Sequence, residues 1–211
     1  MVKLTIDLIG NKAQFAGMRF SHLMHNIPRP FSADHGHEAR QFFAADGEEI
    51  QDFVAAVAGS SPYLKGLIEK EHQWLRGAFA QPDAALKVEF SNLKATAGSD
   101  LMSALRRAKR RVALWTALCD LAGVWALEEV TEALSKFADL ACQISLNHAL
   151  KVQLQRGKIP MRKPETDPAG LGMFVLAMGK LGANELNYSS DIDLICFFDE
   201  SYFASVDVFE A

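Results

Sequence analysis

Along most of the chain, apolar residues recur at three- and four-residue spacing, a period that predicts a largely helical protein. Over 48–58, Ile50, Phe53, Val54 and Val57 share one face, and Gly59 stands where the helix can end. In the following segment Ser60 or Ser61 can cap a helix, Pro62 suits its first turn, and Tyr63, Leu64, Leu67 and Ile68 form the inward stripe. A shorter amphipathic helix over 84–94 places Leu86, Phe90 and Leu93 inward. The clearest periodicity follows. Leu101, Leu105, Ala108, Val112, Trp115, Leu118 and Ala122 form one seam after the capping residues Ser99 and Asp100, with Gly123 at the C-terminal cap position. Leu127, Val130, Leu134, Phe137, Ala141, Ile144 and His148 form a second seam, opened by Glu128 and Glu129 and closed by Lys151 and Arg156 as the helix dipole favours. A turn as short as Gly123–Trp125 predicts that these two helices pack antiparallel.

The pattern then breaks. Residues 157–172 hold Pro160, Pro164 and Pro168, three of the chain's seven prolines, so they read as a linker. Beyond them MFVLAM (173–178) and DLICFF (193–198) are short apolar runs on either side of a Gly/Asn/Ser-rich stretch, and they read as two buried strands around a turn. The expected organisation is therefore a helical region over 1–156, a linker over 157–172, and the start of an α+β unit over 173–211.

Composition narrows the class of partner. With 22 Lys plus Arg against 26 Asp plus Glu and a net charge of −4, the chain lacks an overall cationic surface for nucleic acid. Cys119, Cys142 and Cys196 are far apart and form no C-x-x-C pair, which excludes a zinc knuckle or disulfide framework and points to buried thiols in a reducing cytosol. The first residues, MVKLTIDLIGNKAQ, carry Asp7 within their short apolar run and do not form a secretory signal, and no stretch is long enough for a membrane span. The expectation is a soluble cytoplasmic protein with neither nucleic acid nor membrane as partner.

The chemistry concentrates in 173–199. On a strand over 191–198, Asp191 and Asp193 point to one face, about 7 Å apart along the backbone. Ile195 and Phe197 continue that face inward, and Ile192, Leu194, Cys196 and Phe198 cover the other. Two carboxylates so placed repel each other unless a divalent cation lies between them, and hard oxygen ligands of this kind suit Mg²⁺. Upstream, Gly179-Lys180-Leu181-Gly182 follows the first strand. Its glycines let backbone N–H groups approach an anion and Lys180 adds positive charge, while Asn187, Ser189 and Ser190 offer further donors. A phosphate cradle beside a metal-binding pair implies phosphoryl or nucleotidyl transfer. The glycines match neither G-x-x-x-x-G-K-[ST] nor G-x-G-x-x-G. Taken singly, the D-x-D pair is a weak signal that a solvated surface turn also gives, and Lys180 reads equally as an exposed lysine.

A glycine after a strand, then D-h-D-h on the next, resembles the nucleotidyltransferase superfamily that includes DNA polymerase beta. Met178-Gly179-Lys180-Leu181-Gly182 and Glu185-Leu186-Asn187-Tyr188-Ser189-Ser190-Asp191-Ile192-Asp193-Leu194-Ile195 resemble the signature of the glutamine synthetase adenylyltransferase/adenylyl-removing enzymes. Ser61-Pro62-Tyr63-Leu64, Leu105-Arg106-Arg107, Asp120-Leu121-Ala122-Gly123 and Leu127-Glu128-Glu129-Val130-Thr131 resemble the helical region before the first catalytic domain of that family, so the likeness spans about 45–200. It implies a mostly helical N-terminal region followed by the first strands of an incomplete polymerase-beta-like domain. It also implies an adenylyl-removing activity that phosphorolyses adenylyl-tyrosine of glutamine synthetase to ADP, with ATP-dependent adenylylation by a second domain. By position, Asp191 and Asp193 would hold a pair of Mg²⁺ ions, and Gly179, Lys180, Gly182, Ser189 and Ser190 would line the site for ATP, ADP or phosphate. Glutamine synthetase is the implied partner, and a PII-type signal protein a further one. The family has a second glycine where Ala183 stands, a basic residue where Asn184 stands, and a third metal carboxylate in an R-V-D-x-R-L-R-P context that Val206-Asp207 lacks. The chain therefore reads as the N-terminal piece of a longer enzyme.

Other features have plainer readings. His35-Gly36-His37 could bind metal but reads better as a flexible loop, and His148 as a core or half-buried histidine. Arg106, Arg107, Lys109, Arg110 and Arg111 read as the solvated face of a helix, and Trp74, Trp115 and Trp125 as core. Two functional alternatives stay open: a non-catalytic helical module that binds glutamine synthetase or a PII-type protein, and a D-x-D glycosyltransferase.

Overall fold

The computed structural model describes residues 17–159 and 172–199. The expectations for residues 1–16, for Pro160, Pro164 and Pro168, and for Val206-Asp207 lie outside the described residues. The elements are α1 (Ala33–Gln41), α2 (Glu48–Ser60), α3 (Pro62–Ala80), α4 (Ala85–Ala95), α5 (Leu101–Leu121), α6 (Leu127–Gln155), β1 (Met173–Ala177), α7 (Gly179–Gly182) and β2 (Leu194–Phe198). The protein is a mostly helical α+β chain with a two-stranded antiparallel sheet, as the periodicity predicts. It divides into two compact units, with the boundary in sequence between Lys87 and Val88.

In the first unit, α1, α2 and α3 pack on one another around four buried phenylalanines. Phe20 lies 5.8 Å from Phe53 and 5.1 Å from Phe79, and Phe43 lies 6.0 Å from Phe79. The Ile50–Val57 stripe is buried as expected, and so are Leu64, Leu67 and Ile68, but Tyr63 is 65% exposed. Burial on α3 follows the face of Leu64, Leu67, Ile68, Glu71 and Leu75, and Tyr63 stands in the first turn outside it. Ser61 is the cap, accepting from the Leu64 N–H at 3.3 Å, with Pro62 opening the helix.

Gly59 does not end α2. The helix continues to Ser60, because Gly59 admits the preceding loop: the Phe31 and Ser32 N–H groups donate to its carbonyl at 3.0 and 2.9 Å. A Cβ there would fall 2.6 Å from Pro30 Cβ and from the Ser32 carbonyl oxygen. His35-Gly36-His37 likewise lies in a helix rather than a loop. Ser32 caps α1, and Gly36 and Ala39 are its buried residues.

The second unit holds the α5–α6 hairpin. α5 ends as predicted: Gly123 has φ +69, its N–H donates to Asp120 O and the Val124 N–H to Cys119 O, both at 2.9 Å. Leu93, Ala104 and Ala108 form a buried cluster against which Leu105, Phe137, Leu140 and Ile144 pack. The start of α5 thus meets the middle of α6, as an antiparallel pair must. Leu127, expected on the seam, is 71% exposed, because it opens α6 before the buried face begins at Val130. Trp115 is wholly buried, whereas Trp74, Trp125 and His148 are half-buried.

On α4, Leu93 is buried but Leu86 and Phe90 are only half-covered. The buried face includes Glu89, 4% exposed, whose carboxylate accepts from Arg111 Nη1 at 2.8 Å. Of the five basic residues read as a solvated face, Arg106, Arg107 and Lys109 are exposed, whereas Arg110 and Arg111 are half-buried and Arg111 turns to Glu89.

β1 and β2 pair antiparallel from Met173↔Phe198 to Ala177↔Leu194. They are not buried strands. Every residue of β2 is exposed and β1 alternates half-buried with exposed. Met173 packs on the Leu150–Ile159 cluster, whereas Phe174 and Phe197, 55% and 41% exposed, stack on the other face at 5.0 Å. A ribbon of two strands has too little surface to bury both its faces. Cys196 on β2 is exposed and Cys142 half-buried, so of the three thiols expected to be buried Cys119 alone is.

Candidate functional site

The loop between the two strands closes on itself. At its neck the Met178 N–H donates to the Asp193 carbonyl at 2.9 Å, one rung beyond the ladder. Gly179, at φ +55, then turns the chain into α7. A Cβ on Gly179 would meet one neighbour within 4 Å, Asp193 Oδ2 at 3.8 Å, so this glycine borders the carboxylate directly.

α7 stops in the same manner as α5. Asn184 takes φ +62, its N–H bonds Leu181 O at 3.0 Å, and the Glu185 N–H bonds Lys180 O at 2.8 Å. Asparagine tolerates this left-handed position best among residues with a side chain, which accounts for Asn184 after the motif. The chain next tightens around Asn187, whose side-chain oxygen accepts from the Ser189 N–H at 3.1 Å and the Ser190 hydroxyl at 2.7 Å. Asn187 was expected as a donor and instead holds the turn as an acceptor.

These turns surround an open concavity of about 410 Å³ lined by Met178, Gly179, Lys180, Asn187, Ser189, Ser190, Asp191 and Asp193. The structure thus gathers six of the seven expected site residues. Gly182 is the exception. It packs on the end of β1, where an added Cβ would lie 2.5 Å from the Ala177 carbonyl oxygen. Asp191 and Asp193 line one pocket, but not from within a strand over 191–198, since β2 begins only at Leu194. Ile195 and Phe197, expected to run inward from the aspartates, are 43% and 41% exposed.

Lys180, Asp191 and Asp193 are exposed, and Lys180 makes no ion pair among the described residues. The donor set is two carboxylates, two hydroxyls and an amide, with one cation at the rim. Hard oxygens of this type fit Mg²⁺, with water or phosphate oxygens to complete its shell. Among the described residues no group of three or more His, Cys, Asp or Glu side chains could hold a metal, so no third acidic ligand joins the aspartates there.

Two attachments of the loop escaped the sequence reading. The Leu186 N–H donates to Ser135 Oγ on α6 at 3.1 Å, and the Tyr188 hydroxyl to Asp120 Oδ2 on α5 at 3.1 Å. Burial and then the Asp120 charge push the Tyr188 hydroxyl far above the usual phenol range, so it stays a donor. The available signal was Ser135 itself, a polar residue within the apolar face of α6.

The glutamate-ammonia ligase adenylyltransferase family model matches residues 29–208. The chain is 43% identical over 155 residues to the bifunctional glutamine synthetase adenylyltransferase/adenylyl-removing enzyme of Bradyrhizobium sp. (strain ORS 278), an alignment that covers 71% of this chain and 16% of the relative. With the protein of that name from Rhodopseudomonas palustris (strain TIE-1) the identity is 41% over 157 residues, 72% of this chain and 16% of the relative. With that from Agrobacterium fabrum it is 35% over 162 residues, again 72% and 16%. The matched part thus spans 16% of the length of these curated relatives. No solved structure matches the chain. Among the described residues no helix is long and apolar enough to cross a membrane.

Proposed function

The chain belongs to the glutamate-ammonia ligase adenylyltransferase family, and on that premise we propose that its 178–193 loop is the nucleotide- and metal-binding corner of a nucleotidyltransferase acting on glutamine synthetase. The reaction is adenylyl removal: inorganic phosphate attacks the adenylyl phosphorus, the bond to the tyrosine oxygen breaks, the phenolate leaves and takes up a proton, and the new phosphoanhydride is ADP. The observation that supports this is the single concavity in which Gly179, Lys180, Ser189 and Ser190 meet Asp191 and Asp193.

Lys180 offsets phosphate charge at the rim, and Gly179 keeps the space beside Asp193 open for an oxygen to approach. Asn187 fixes the backbone of Ser189 and Ser190. Because the Ser190 hydroxyl gives its proton to Asn187, its oxygen is left as an acceptor, whereas the Ser189 hydroxyl is available to donate to a phosphate oxygen. Mg²⁺ held by Asp191 and Asp193 would supply neutralisation of charge on the transferring phosphoryl group.

The test titrates Mn²⁺ with ADP or ATP into the chain, and with UDP and UDP-sugars in parallel. Adenine nucleotides should bind in a metal-dependent way, and Asp191→Asn and Asp193→Asn should each weaken that binding at least about tenfold, the share of a lost charge-assisted ligand. Equal affinity in wild type and both variants removes the metal role, and preference for UDP-sugars transfers the site to glycosyl transfer. A second reading, a helical module that docks glutamine synthetase or a PII-type signal protein, draws on the absence of a third acidic ligand among the described residues. Retention of glutamine synthetase by the double variant Asp191→Asn/Asp193→Asn in a pull-down would favour it.

A further inference from the structure

The loop that carries the site residues has little attachment of its own. From Ala183 to Asp193, Leu186 is buried, Ser190 is half-buried and the others are exposed. The bonds within the loop, around Asn184 and Asn187, give it shape but do not fix its place on the unit. Two bonds reach out to the helices, from Leu186 and from Tyr188. Between and after them, Asn187 and Ser189 line the pocket. Through this turn Leu186 and Tyr188 thus hold the hairpin while Asn187 and Ser189 line the site.

Both receiving groups sit near one end of the hairpin. Asp120 lies in the last turn of α5, where its own carbonyl accepts the Gly123 N–H that caps the helix. Ser135 is on α6, wholly buried, and bonds a backbone N–H that lies 51 residues further along the chain. An unpaired amide beside buried Leu186 would be unfavourable, so the Ser135 bond fixes where the loop can rest. The bond from the Tyr188 hydroxyl to a carboxylate is of the stronger, charge-assisted kind.

We propose that Asp120 and Ser135 are positioning residues for the nucleotide loop, acting through Tyr188 and Leu186 to set Asn187, Ser189 and the two aspartates against α7. This rests on the functional reading above, and it adds that the capped end of the helical hairpin governs the geometry of the pocket. It makes the α5–α6 turn the place from which a force on the helices reaches the site.

The test compares wild type with Tyr188→Phe, Asp120→Ala, Asp120→Asn and Ser135→Ala by two measurements, hydrogen exchange of the 184–193 amides and Mn²⁺-dependent ADP binding. Tyr188→Phe, Asp120→Ala and Ser135→Ala should quicken exchange of those amides and weaken binding, each about tenfold, with the helical circular dichroism unchanged. Asp120→Asn, which keeps an acceptor oxygen, should restore most of both losses. Wild-type binding in Tyr188→Phe and Asp120→Ala overturns the proposal, and so does equal loss in Asp120→Asn and Asp120→Ala. If wild type itself binds no Mn²⁺·ADP, the functional reading fails separately. Exchange then decides the anchoring, since quickened exchange supports it and unchanged exchange overturns it.

Discussion

Replacing Gly182 with alanine separates two explanations for a glycine in the motif, contact with phosphate or contact with the fold. The added Cβ would lie 2.5 Å from the Ala177 carbonyl oxygen and 3.2 Å from its carbon. A comfortable carbon–oxygen contact is about 3.3 Å or more, so α7 must retreat by roughly 0.8 Å from the end of β1. Both obstructing atoms are backbone and cannot swing away, which places the penalty in the range of about 1–3 kcal/mol for an overpacked site. That penalty falls on the bonds holding α7 and the loop neck: Met178 N–H to Asp193 O, Gly182 N–H to Met178 O and Ala183 N–H to Gly179 O. Local opening should become about 5- to 150-fold more frequent, at about 1.36 kcal/mol per decade. Amide exchange resolved by NMR reads it at those three positions. Gly179→Ala is the control. Its Cβ has room, with Asp193 Oδ2 at 3.8 Å, and its penalty is the left-handed backbone alone, about 1–2 kcal/mol. Exchange within twofold of wild type in Gly182→Ala, together with lost nucleotide binding, would refute the packing account.

Alkylation by iodoacetamide near neutral pH should label exposed Cys196 first, Cys142 slowly and Cys119 only on unfolding. Burial and then Asp139 and Cys196 push up the Cys142 thiol, and burial, with Glu129 and Asp120, pushes Cys119 up further; mass spectrometry showing Cys119 labelled together with Cys196 would contradict this order. The raised Tyr188 pKa means that the folded state holds this proton more tightly than the unfolded chain. The resulting stability is complete below the ordinary phenol value of about 10 and is lost as pH rises above it. An ultraviolet titration should therefore show a late phenolate step, absent in Tyr188→Phe and accompanied by loss of protection in the 184–193 loop. Removing the buried Glu89 carboxylate as Glu89→Ala should lower unfolding stability by about 2–4 kcal/mol, and Glu89→Gln by less, since it keeps an acceptor for Arg111. A loss under about 0.5 kcal/mol in chemical denaturation would place the pair among surface contacts.

What could be read in advance was what neighbours in sequence decide. The α5–α6 hairpin follows from its apolar spacing and from Gly123, whose cap is a matter of a few adjacent residues. Helix α1 was missed because it packs through Gly36 and Ala39 and has no apolar period; Ala55, on another helix, decides its fit. Glu89 is held by a partner 22 residues away, a distance that no local pattern spans. At the site, the glycine and the two aspartates announce themselves within one short segment. The difference between Gly179 and Gly182 does not, since it depends on the Ala177 carbonyl alone. Tyr188 and Asp120 are 68 residues apart, and no local pattern joins them. An apolar run predicts a buried strand, but with two strands among the described residues one face of the ribbon stays partly exposed at Phe174, Leu176, Ile195 and Phe197.

That partly exposed face has a practical meaning for anyone handling the polypeptide. Phe174, Leu176, Ile195 and Phe197 present a greasy plaque on a two-stranded ribbon, a surface by which chains recruit copies of themselves into stacked aggregates. Dilution, mild detergent or a lysine placed at Leu176 should keep the material dispersed, and self-association that persists with Leu176→Lys would trace the stickiness to another surface.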